Sequence, residues 1–219
     1  MSDVQGVFNA ISDKYDLLDS FISLGMDHAW RRRAVEILSQ YSFDSILDNG
    51  SGTGKLASEI QKAFPKAKFY LLDLTETMME RNQVSKAEKI IGSADKVPLP
   101  DSSVDLITAA FLTRNVPTLS GYMRECNRVL KPGGKLLNLD IFMPESWFRA
   151  IFAFYFFNIV PRFGNLVTSS ASYTYLASSV RNFVSPGTFT RTMQDAEFSI
   201  ILKEPHAMGS VWIHLGEKI

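Results

Sequence analysis

Three glycines lie within five positions in ILDNGSGTGKL, the stretch that covers residues 46–56. Glycine loses more backbone entropy on folding than any other residue, so such density is costly unless the backbone must turn sharply or lie against a ligand. A short apolar run that ends in Asp48 precedes the glycines, and a helical pattern follows them. A strand, a glycine-rich turn and a helix in this order predict a ligand-binding loop at the edge of a parallel sheet.

Short apolar runs alternate with helical patterns along most of the remaining chain. The runs predict strands at 45–48, 68–73, 89–93, 104–112 and 134–142, and two closing strands, FSIILKE and SVWIHLGEK. Helical spacing of apolar residues predicts helices at 55–64, 76–87, 118–130 and 186–196, with a turn at KPGGK, residues 131–135. Strand, helix and strand repeated in this way form mostly parallel sheets with right-handed crossovers. We therefore expect an α/β fold with a doubly wound, mostly parallel sheet.

Helical patterns before the first strand predict a cap over the sheet. Residues 4–20 and 27–39 have apolar positions at helical spacing, and Gly25 breaks the pattern between them. With 219 residues, of which 46% are hydrophobic, the chain is long enough to bury a full core. We expect a single domain over residues 1–219, with an N-terminal helical cap in residues 1–42.

The aromatic stretch WFRAIFAFYFFNIVPRF, residues 147–163, predicts a helical insertion at 145–180. It is too short to cross a bilayer, and Arg149, Asn158 and Pro161 interrupt it. A buried helix that covers the sheet is one interpretation, and an apolar lid over a ligand is another. Both can hold for the same segment.

Composition argues against several other classes of protein. Lys plus Arg and Asp plus Glu both number 23, so no net charge attracts the chain to nucleic acid.

His28, His206 and His214 lack the spacing of metal ligands, and we expect no metal. The single cysteine, Cys126, lies in a helical pattern and is expected to be a packed thiol. No apolar run reaches the ~18 residues that a membrane span needs, which predicts a cytoplasmic protein.

The spacing of the glycines separates this loop from two common nucleotide-binding motifs. Counted from Gly50, the sixth position is Lys55, so the loop is not the G-x-G-x-x-G of dinucleotide-binding proteins. Leu56 after Gly54 and Lys55 also argues against a phosphate-binding P-loop. The loop instead fits acidic-x-G-x-G-x-G, in which Asp48 faces a cationic group of a ligand that lies on the glycine backbone. A glycine-rich turn without a ligand is the alternative.

Polar residues also follow the second and third predicted strands. Asp73 ends the second strand, with Leu74 beside it, and its carboxylate can accept hydrogen bonds from both hydroxyls of a ribose. A cap for the helix near Thr75 is the alternative role for Asp73. The third strand precedes three residues that can meet an adenine edge or form a solvated turn: Ser93, Ala94 and Asp95. These three strand ends together predict S-adenosylmethionine as the ligand.

Five stretches of the chain point to a family. They are VFNAISDKYDLLDSFISLGMDHAWRRRAV, ILDNGSGTGKL, FLTRNV, RVLKPGGKL and YTYLASSVRNFVSPGTFTRTMQDAEF. Together they resemble the ubiquinone/menaquinone biosynthesis C-methyltransferases, the demethylmenaquinone methyltransferase family, from about residue 7 to the C-terminus. The glycine loop and RVLKPGGKL occur in many class I methyltransferases, whereas KYD, RNV and YLASSVRNF are more specific. The resemblance implies a class I methyltransferase that uses S-adenosylmethionine to methylate a ring carbon of a demethylmenaquinol or related quinol.

The resemblance also implies which residues bind the methyl donor. Residues on its methionine and ribose side would be Gly50, Gly52 and Thr53. Asp73 would bind the ribose, Ser93 and Ala94 the adenine, and Tyr15 would close over the donor.

Three residues depart from the usual pattern of that family. Ser93 stands where an Asp or Asn meets the adenine amino group, so we expect Asp95 to take part of that role. Ala110 stands where a serine precedes Phe111, which removes one hydrogen bond at the donor site. Lys55 replaces an aspartate at the start of a helix, where the helix dipole disfavours a cation by up to ~1 kcal/mol.

Methylation of a ring carbon requires that an adjacent hydroxyl lose its proton to a base or an oriented water. Arg114 and Asn115, in TRNV after the fourth strand, are the candidate catalytic residues. They would orient water or the quinol oxygen and stabilise phenolate charge. An ion pair with a carboxylate across the loop is the alternative for Arg114. His206 is a second candidate base, with a surface-loop position as its alternative.

The implied acceptor is a small apolar molecule such as a prenylated quinol, whose tail the aromatic insertion would hold. Peripheral contact with a membrane surface, helped by the basic residues 31–33, and assembly as a homodimer are compatible with this interpretation. Two other functions stay open at this point. One is methylation of another small apolar acceptor, and the other is binding of S-adenosylmethionine without catalysis by a regulatory protein.

Overall fold

A seven-stranded sheet forms the centre of the computed structural model, which describes residues 6, 20, 22–162 and 172–219. The strands are β1 (Ser45–Asn49), β2 (Lys68–Asp73), β3 (Ala87–Ile91), β4 (Val104–Ala110), β5 (Leu130–Ile141), β6 (Phe198–His206) and β7 (Val211–Lys218). Their order across the sheet is β3-β2-β1-β4-β5-β7-β6. The first five strands pair in parallel, whereas β7 is antiparallel to both of its neighbours. The expected doubly wound, mostly parallel sheet is confirmed.

Helices lie before and between these strands. They are α1 (Asp27–Leu38), α2 (Lys55–Ala63), α3 (Glu76–Glu80), α4 (Leu119–Val129), α5 (Arg149–Phe154), α6 (Ser172–Asn182) and α7 (Pro186–Asp195). A short 3-10 turn, Thr113–Asn115, follows β4, and a π-helical turn, Tyr155–Ile159, continues α5. None of the described helices is long and apolar enough to cross a membrane.

Neighbouring residues of the central strands point to opposite faces and divide the core in two. Leu47 of β1 packs in a cluster with residues of α4 and α7, whereas Ile46 packs in a cluster with residues of α1 and α2. All five residues of β1 are buried, as expected for a strand in the middle of a parallel sheet. With both faces covered, the ends of the strands are left as the place for a site.

Two elements differ clearly from the expectations. Helix α3 ends at Glu80 rather than near residue 87. Just beyond it, the Asn82 side chain bonds to the glycine loop and to the backbone of the turn that follows. Its Nδ2 donates to the Gly52 carbonyl and its Oδ1 accepts from the Val84 N–H, both at 3.1 Å. Strand β5 begins at Leu130, so the segment expected to be a turn belongs to the irregular start of the strand.

The helical insertion has a small core of its own. Phe152 and Phe156 stack with ring centroids 5.0 Å apart, and they cluster with Val160 and with Ala177 and Val180 of α6. This face of the insertion is therefore buried mainly against other residues of the insertion, and not as a helix that covers the sheet. The end of that stretch, and the helix expected at 4–20 apart from its residues 6 and 20, lie outside the described residues.

Candidate active site

The carboxyl ends of β1, β2 and β4 and the turn after β3 meet around one cavity of about 270 Å³. Among its lining residues are ten that the sequence analysis singled out: Asp48, Gly50, Gly52, Thr53, Asp73, Leu74, Ser93, Ala94, Ala110 and Asn115. The fold thus brings together a loop, an acid and two further strand ends that lie far apart along the chain. A ligand site at this edge is typical of a doubly wound sheet.

The three loop glycines have positive φ angles, and two of them are also packed too closely for a side chain. A Cβ on Gly50 would lie 2.7 Å from Cδ1 of Leu112, and a Cβ on Gly54 would collide with the Asn82 side chain. A Cβ on Gly52, which has a φ of +52°, would meet no atom within 4 Å. Gly52 lines the cavity, so its backbone is open to close approach by a ligand.

Asp73 joins the second strand to the glycine loop. Its Oδ2 accepts from the backbone N–H of Gly52 and its Oδ1 from the backbone N–H of Thr75, both at 2.8 Å. Burial raises the pKa of Asp73, although these hydrogen bonds oppose the shift. A carboxylate offers about four acceptor positions, so both oxygens can accept a further bond from a ligand. The helix-cap role and a ligand-binding role are therefore compatible.

Asp48 lies deeper, in β1, where it is 2% exposed. The Thr108 hydroxyl donates to its Oδ1 at 2.6 Å. Burial raises the pKa of Asp48 to about 7, and the like charge of Asp73 adds to the effect of burial. The Thr108 hydrogen bond and the charge of Arg31 lower the pKa only in part. A cationic group in the cavity would favour the ionised carboxylate.

The turn after β3 places its three candidates differently. Ser93 and Ala94 line the cavity, whereas Asp95 is not among the described residues that do. The Ser93 hydroxyl donates to the Asp95 carboxylate, and Asn49 Nδ2 donates to the Ala94 carbonyl at 3.3 Å. Asp95 therefore contacts the cavity only through Ser93, whose hydroxyl it orients.

Two cations line the cavity although the sequence analysis gave them no role there. Arg31 and Lys55 reach it from α1 and α2. Arg31 forms an ion pair with the buried Asp27, and Lys55 Nζ lies 3.7 Å from Asp27 Oδ2. Burial alone would raise the pKa of Asp27, but Arg31, the Ser23 hydroxyl and Lys55 together lower it. The Asp27 carboxylate thus offsets the unfavourable interaction of Lys55 with the helix dipole. In the sequence, the four-residue spacing of Asp27 and Arg31 on one helix already indicated their ion pair.

The side of the cavity that follows β4 is apolar. It is formed by Phe111, Leu112, Val116 and Pro117 together with Ala110. Phe111 has a φ of +59°, which is uncommon for a bulky residue and costs backbone strain. Its ring lies 5.3 Å from Cζ of Arg31. The cavity therefore has one polar side, made by strand ends and glycine backbone, and one apolar side.

The two candidate catalytic residues face different surroundings. Arg114 Nη1 lies 2.6 Å from Asp140 Oδ1, both side chains are buried, and Arg114 is not among the described residues that line the cavity. This is the ion pair that the sequence left as an alternative, and it compensates a carboxylate that would be costly to bury alone. Asn115 does line the cavity, and its Oδ1 accepts from the Tyr175 hydroxyl of α6 at 3.2 Å.

The remaining candidates lie away from the cavity or outside the described residues. Tyr15 falls in the part of the chain that is not described. His206, in β6, has Nε2 3.0 Å from Glu204 Oε1 and is not among the described lining residues. Cys126 is buried, and burial raises the pKa of its thiol to about 12. Within the described ranges, no group of three His, Cys, Asp or Glu residues could hold a metal ion.

Solved methyltransferases have a similar fold. A protein of Thermotoga maritima, described as a SAM-dependent methyltransferase and possible histamine N-methyltransferase, is 18% identical with a TM-score of 0.71, and the match covers 98% of this chain and 99% of that one. Geranyl diphosphate C-methyltransferase of Streptomyces coelicolor A3(2) is 14% identical with a TM-score of 0.64. That match covers 88% of this chain and 80% of the other. The likeness at such identities establishes a class I methyltransferase fold.

Closer relatives are found by sequence. The ubiquinone/menaquinone biosynthesis C-methyltransferase UbiE of Shewanella oneidensis is 34% identical over 226 residues, which cover 98% of this chain and 90% of that protein. The protein of the same name in Shewanella putrefaciens is 33% identical with the same coverage. A model of the ubiE/COQ5 methyltransferase family matches residues 1–218. The family resemblance is confirmed, and the chain is an S-adenosylmethionine-dependent methyltransferase that belongs to the ubiE/COQ5 methyltransferase family.

Proposed function

We propose that the protein transfers the methyl group of S-adenosylmethionine to a ring carbon of a demethylmenaquinol or a related quinol. The names of its relatives support a quinone as the acceptor. The observation that carries the proposal is the cavity itself, which joins polar strand ends to an apolar wall. A charged nucleoside donor and an apolar ring need such different walls within one cavity.

The polar side of the cavity fits the donor, which supplies an electrophilic methyl group on a sulfonium centre when it is bound. We assign the ribose hydroxyls to Asp73, whose oxygens keep acceptor positions beyond those used by Gly52 and Thr75. Asp48 faces the cationic part, where a positive charge favours its ionised form. The methionine and ribose lie along Gly50, Gly52 and Thr53, and the adenine lies near Leu74, Ser93 and Ala94, with Tyr15 over the donor.

The apolar side fits the acceptor. Asn115 can donate to a quinol oxygen, because its Oδ1 is held by Tyr175 and its Nδ2 makes only a long contact of 3.4 Å to the Phe111 carbonyl. The apolar wall excludes bulk water from the reacting ring. As the ring carbon attacks the methyl group, the methyl–sulfur bond breaks and the ring hydroxyl loses its proton to a base or an oriented water. The proton displaced from the methylated ring carbon then restores the aromatic quinol, so that one proton is released in all. Arg114 acts through its ion pair with Asp140, which holds the turn that carries Asn115.

The arrangement of the chain around this cavity supports one domain over residues 1–219 with a helical cap. Helix α1 brings Arg31 to the cavity, and α6 brings the Tyr175 hydroxyl to Asn115. In this proposal, α1 and α6 are the described parts of a cap formed by residues 1–42 and the insertion at 145–180.

Transfer of radiolabelled methyl from S-adenosylmethionine to chemically reduced demethylmenaquinol tests the proposal. The labelled product should be a quinol heavier by one methylene unit, and Asn115→Ala should form it much more slowly. A lipid extract offered in parallel identifies other acceptors by product mass. Label that enters a different lipid while the quinol stays unlabelled would contradict the quinol assignment and favour another small apolar acceptor.

A further inference from the structure

Three large apolar side chains are exposed on one side of the insertion. Trp147 is 77% exposed, Ile151 54% and Phe154 64%. Trp147 lies in the turn before α5, and Ile151 and Phe154 lie three residues apart on one face of that helix. We call these three side chains the exposed stripe. Single exposed apolar residues are ordinary, but three large ones within eight residues of the chain point to an interaction surface.

The opposite face of α5 is already used for packing. Phe152 is 7% exposed, and it forms the core of the insertion with Phe156 and Val180. The exposed stripe therefore cannot be turned inward without exposing that core. A helix that is apolar on both sides, with one side packed on its own protein, presents the other side to a partner.

The segment of the chain that carries the exposed stripe has a net positive charge. Residues 145–182 contain Arg149, Arg162 and Arg181 but only one acid, Glu145, although acids and bases are equal in number over the whole chain. Arg149, Arg162 and Arg181 are all exposed. Exposed apolar side chains that include Trp, in a segment with an excess of arginine, are typical of a segment that lies in the interface of a bilayer containing anionic lipid.

A second copy of the chain fits this surface less well. A twofold contact through the exposed stripe would bring Arg149 of each copy, which lies between Trp147 and Ile151 in the chain, towards Arg149 of the other, which is unfavourable. A stripe of three residues also offers little area compared with the roughly 800 Å² per partner of a stable protein interface.

The exposed stripe is connected to the cavity through the insertion. Helix α5 packs on α6 in the core of the insertion, and α6 carries Tyr175, whose hydroxyl donates to Asn115 at the cavity. We propose that the exposed stripe inserts into the surface of an anionic bilayer and docks the protein with the apolar side of its cavity near the lipid. This docking deepens the proposed function, because a prenylated acceptor would reside in that bilayer, but it does not depend on catalysis.

Flotation of the full-length protein with vesicles tests the docking. The vesicles are phosphatidylcholine with phosphatidylglycerol, compared with phosphatidylcholine alone. Ile151→Asp and Phe154→Asp should each lower the partition coefficient at least about tenfold, because each places a charge where an apolar side chain would insert. Ile201→Asp, at a 41% exposed isoleucine of β6, is the matched control and should bind as the unchanged protein does. Arg149→Gln with Arg162→Gln should weaken binding to the anionic vesicles only.

Trp147 reports the same event directly. Its emission should shift to the blue when vesicles are added, and Trp147→Phe should remove that shift. Of the other two tryptophans, Trp30 is buried and Trp212 packs against the core of the sheet with its Nε1 bonded to the Gly209 carbonyl. Equal binding of Ile151→Asp and the unchanged protein, or no binding of the unchanged protein, would overturn the docking. A dimer that Ile151→Asp converts to a monomer in sedimentation velocity would also overturn it, by assigning the stripe to a second copy. Vesicle binding and methyl transfer are separate measurements, so failure of the quinol assignment would leave the docking result intact.

Discussion

The Arg114 guanidinium and the Asp140 carboxylate form a buried ion pair, with Nη1 2.6 Å from Oδ1. The other oxygen of Asp140 accepts from the backbone N–H and the hydroxyl of Thr113, at 2.8 and 2.7 Å. This one carboxylate therefore fixes both the backbone and a side chain of the 3-10 turn after β4. The turn ends at Asn115, which lines the cavity. The geometry makes Arg114 a positioning residue in the proposed reaction.

Arg114→Ala should lower both stability and turnover, because Asp140 would be left buried without its partner. Removing one member of a buried ion pair costs about 3–5 kcal/mol, so the melting temperature should fall by several degrees. Asp140→Asn should have a similar effect on turnover, since it loosens the same turn. Affinity for S-adenosylmethionine, measured by calorimetry on the folded variants, should change little. Asn115→Ala is the contrasting variant, with a large loss of turnover and an almost unchanged melting temperature. A stable Arg114→Ala with very low turnover would instead place Arg114 in contact with the acceptor.

Gly52 and Gly209 form a matched pair for testing the loop. Both have positive φ angles, and a Cβ on either would meet no atom within 4 Å, but only Gly52 lines the cavity. Alanine should therefore cost each about 1–2 kcal/mol of stability from backbone strain. Gly52→Ala should in addition weaken donor binding at least about tenfold, because its methyl group would occupy the place of the ligand. Equal donor affinity in Gly52→Ala and Gly209→Ala would show that the donor does not lie against this glycine.

Much of the polar side of the cavity could be predicted from sequence because it follows from local patterns. The strand that ends at Asp73 is a short apolar run bounded by polar residues, and the ends of parallel strands meet at one edge of a sheet. Gly52 could be assigned to the same side of the cavity, since several glycines close together after a strand indicate close approach of the backbone to a ligand. These assignments need only the order of elements along the chain.

Other features of the cavity depend on packing between distant elements. Arg31 reaches it because α1 packs against the same face as α2, and no local pattern specifies that contact. The positive φ of Phe111 is held by its surroundings and has no signal in its residue type. Sequence alone left two roles for Arg114, contact with the acceptor and an ion pair. Only the folded position of Asp140, in β5, distinguishes them.

Asp73 can be tested with a ligand change as well as a mutation. Asp73→Ala should weaken binding of S-adenosylhomocysteine at least tenfold, since each charge-assisted hydrogen bond contributes about 1.5–3 kcal/mol. The variant also leaves the N–H groups of Gly52 and Thr75 without this acceptor, so its melting temperature should fall. Loss of the fold and loss of the ribose contact must therefore be separated.

An analogue of S-adenosylhomocysteine without its ribose hydroxyls makes that separation. The unchanged protein should bind the analogue much more weakly than S-adenosylhomocysteine, whereas Asp73→Ala should bind the two almost equally. The coupling between the two changes isolates the contact from any general damage to the protein. An undiminished preference for the hydroxylated ligand in Asp73→Ala would assign the ribose to another residue.

Asp48 should make the stability of the ligand-free protein depend on pH. Burial raises its pKa to about 7 in the folded protein, compared with about 3.9 in an unfolded chain. Between these values the folded protein holds a proton that the unfolded chain has lost, so the free energy of unfolding falls as pH rises, by up to about 1.4 kcal/mol per unit. Asp48→Asn removes the titration, while its side-chain oxygen can still accept from the Thr108 hydroxyl.

The measurement is urea unfolding of both proteins between about pH 4.5 and 8, reported as the difference in free energy of unfolding. Asp48→Asn should gain stability relative to the unchanged protein as pH rises towards 7, and the difference should level off above that pH. His214, whose pKa burial lowers to about 4, has the opposite pH dependence in this range, with stability lost as pH falls. Its contribution is the same in both proteins and cancels in the difference. Parallel curves across the whole range would mean that Asp48 is ionised in the folded protein well below neutral pH.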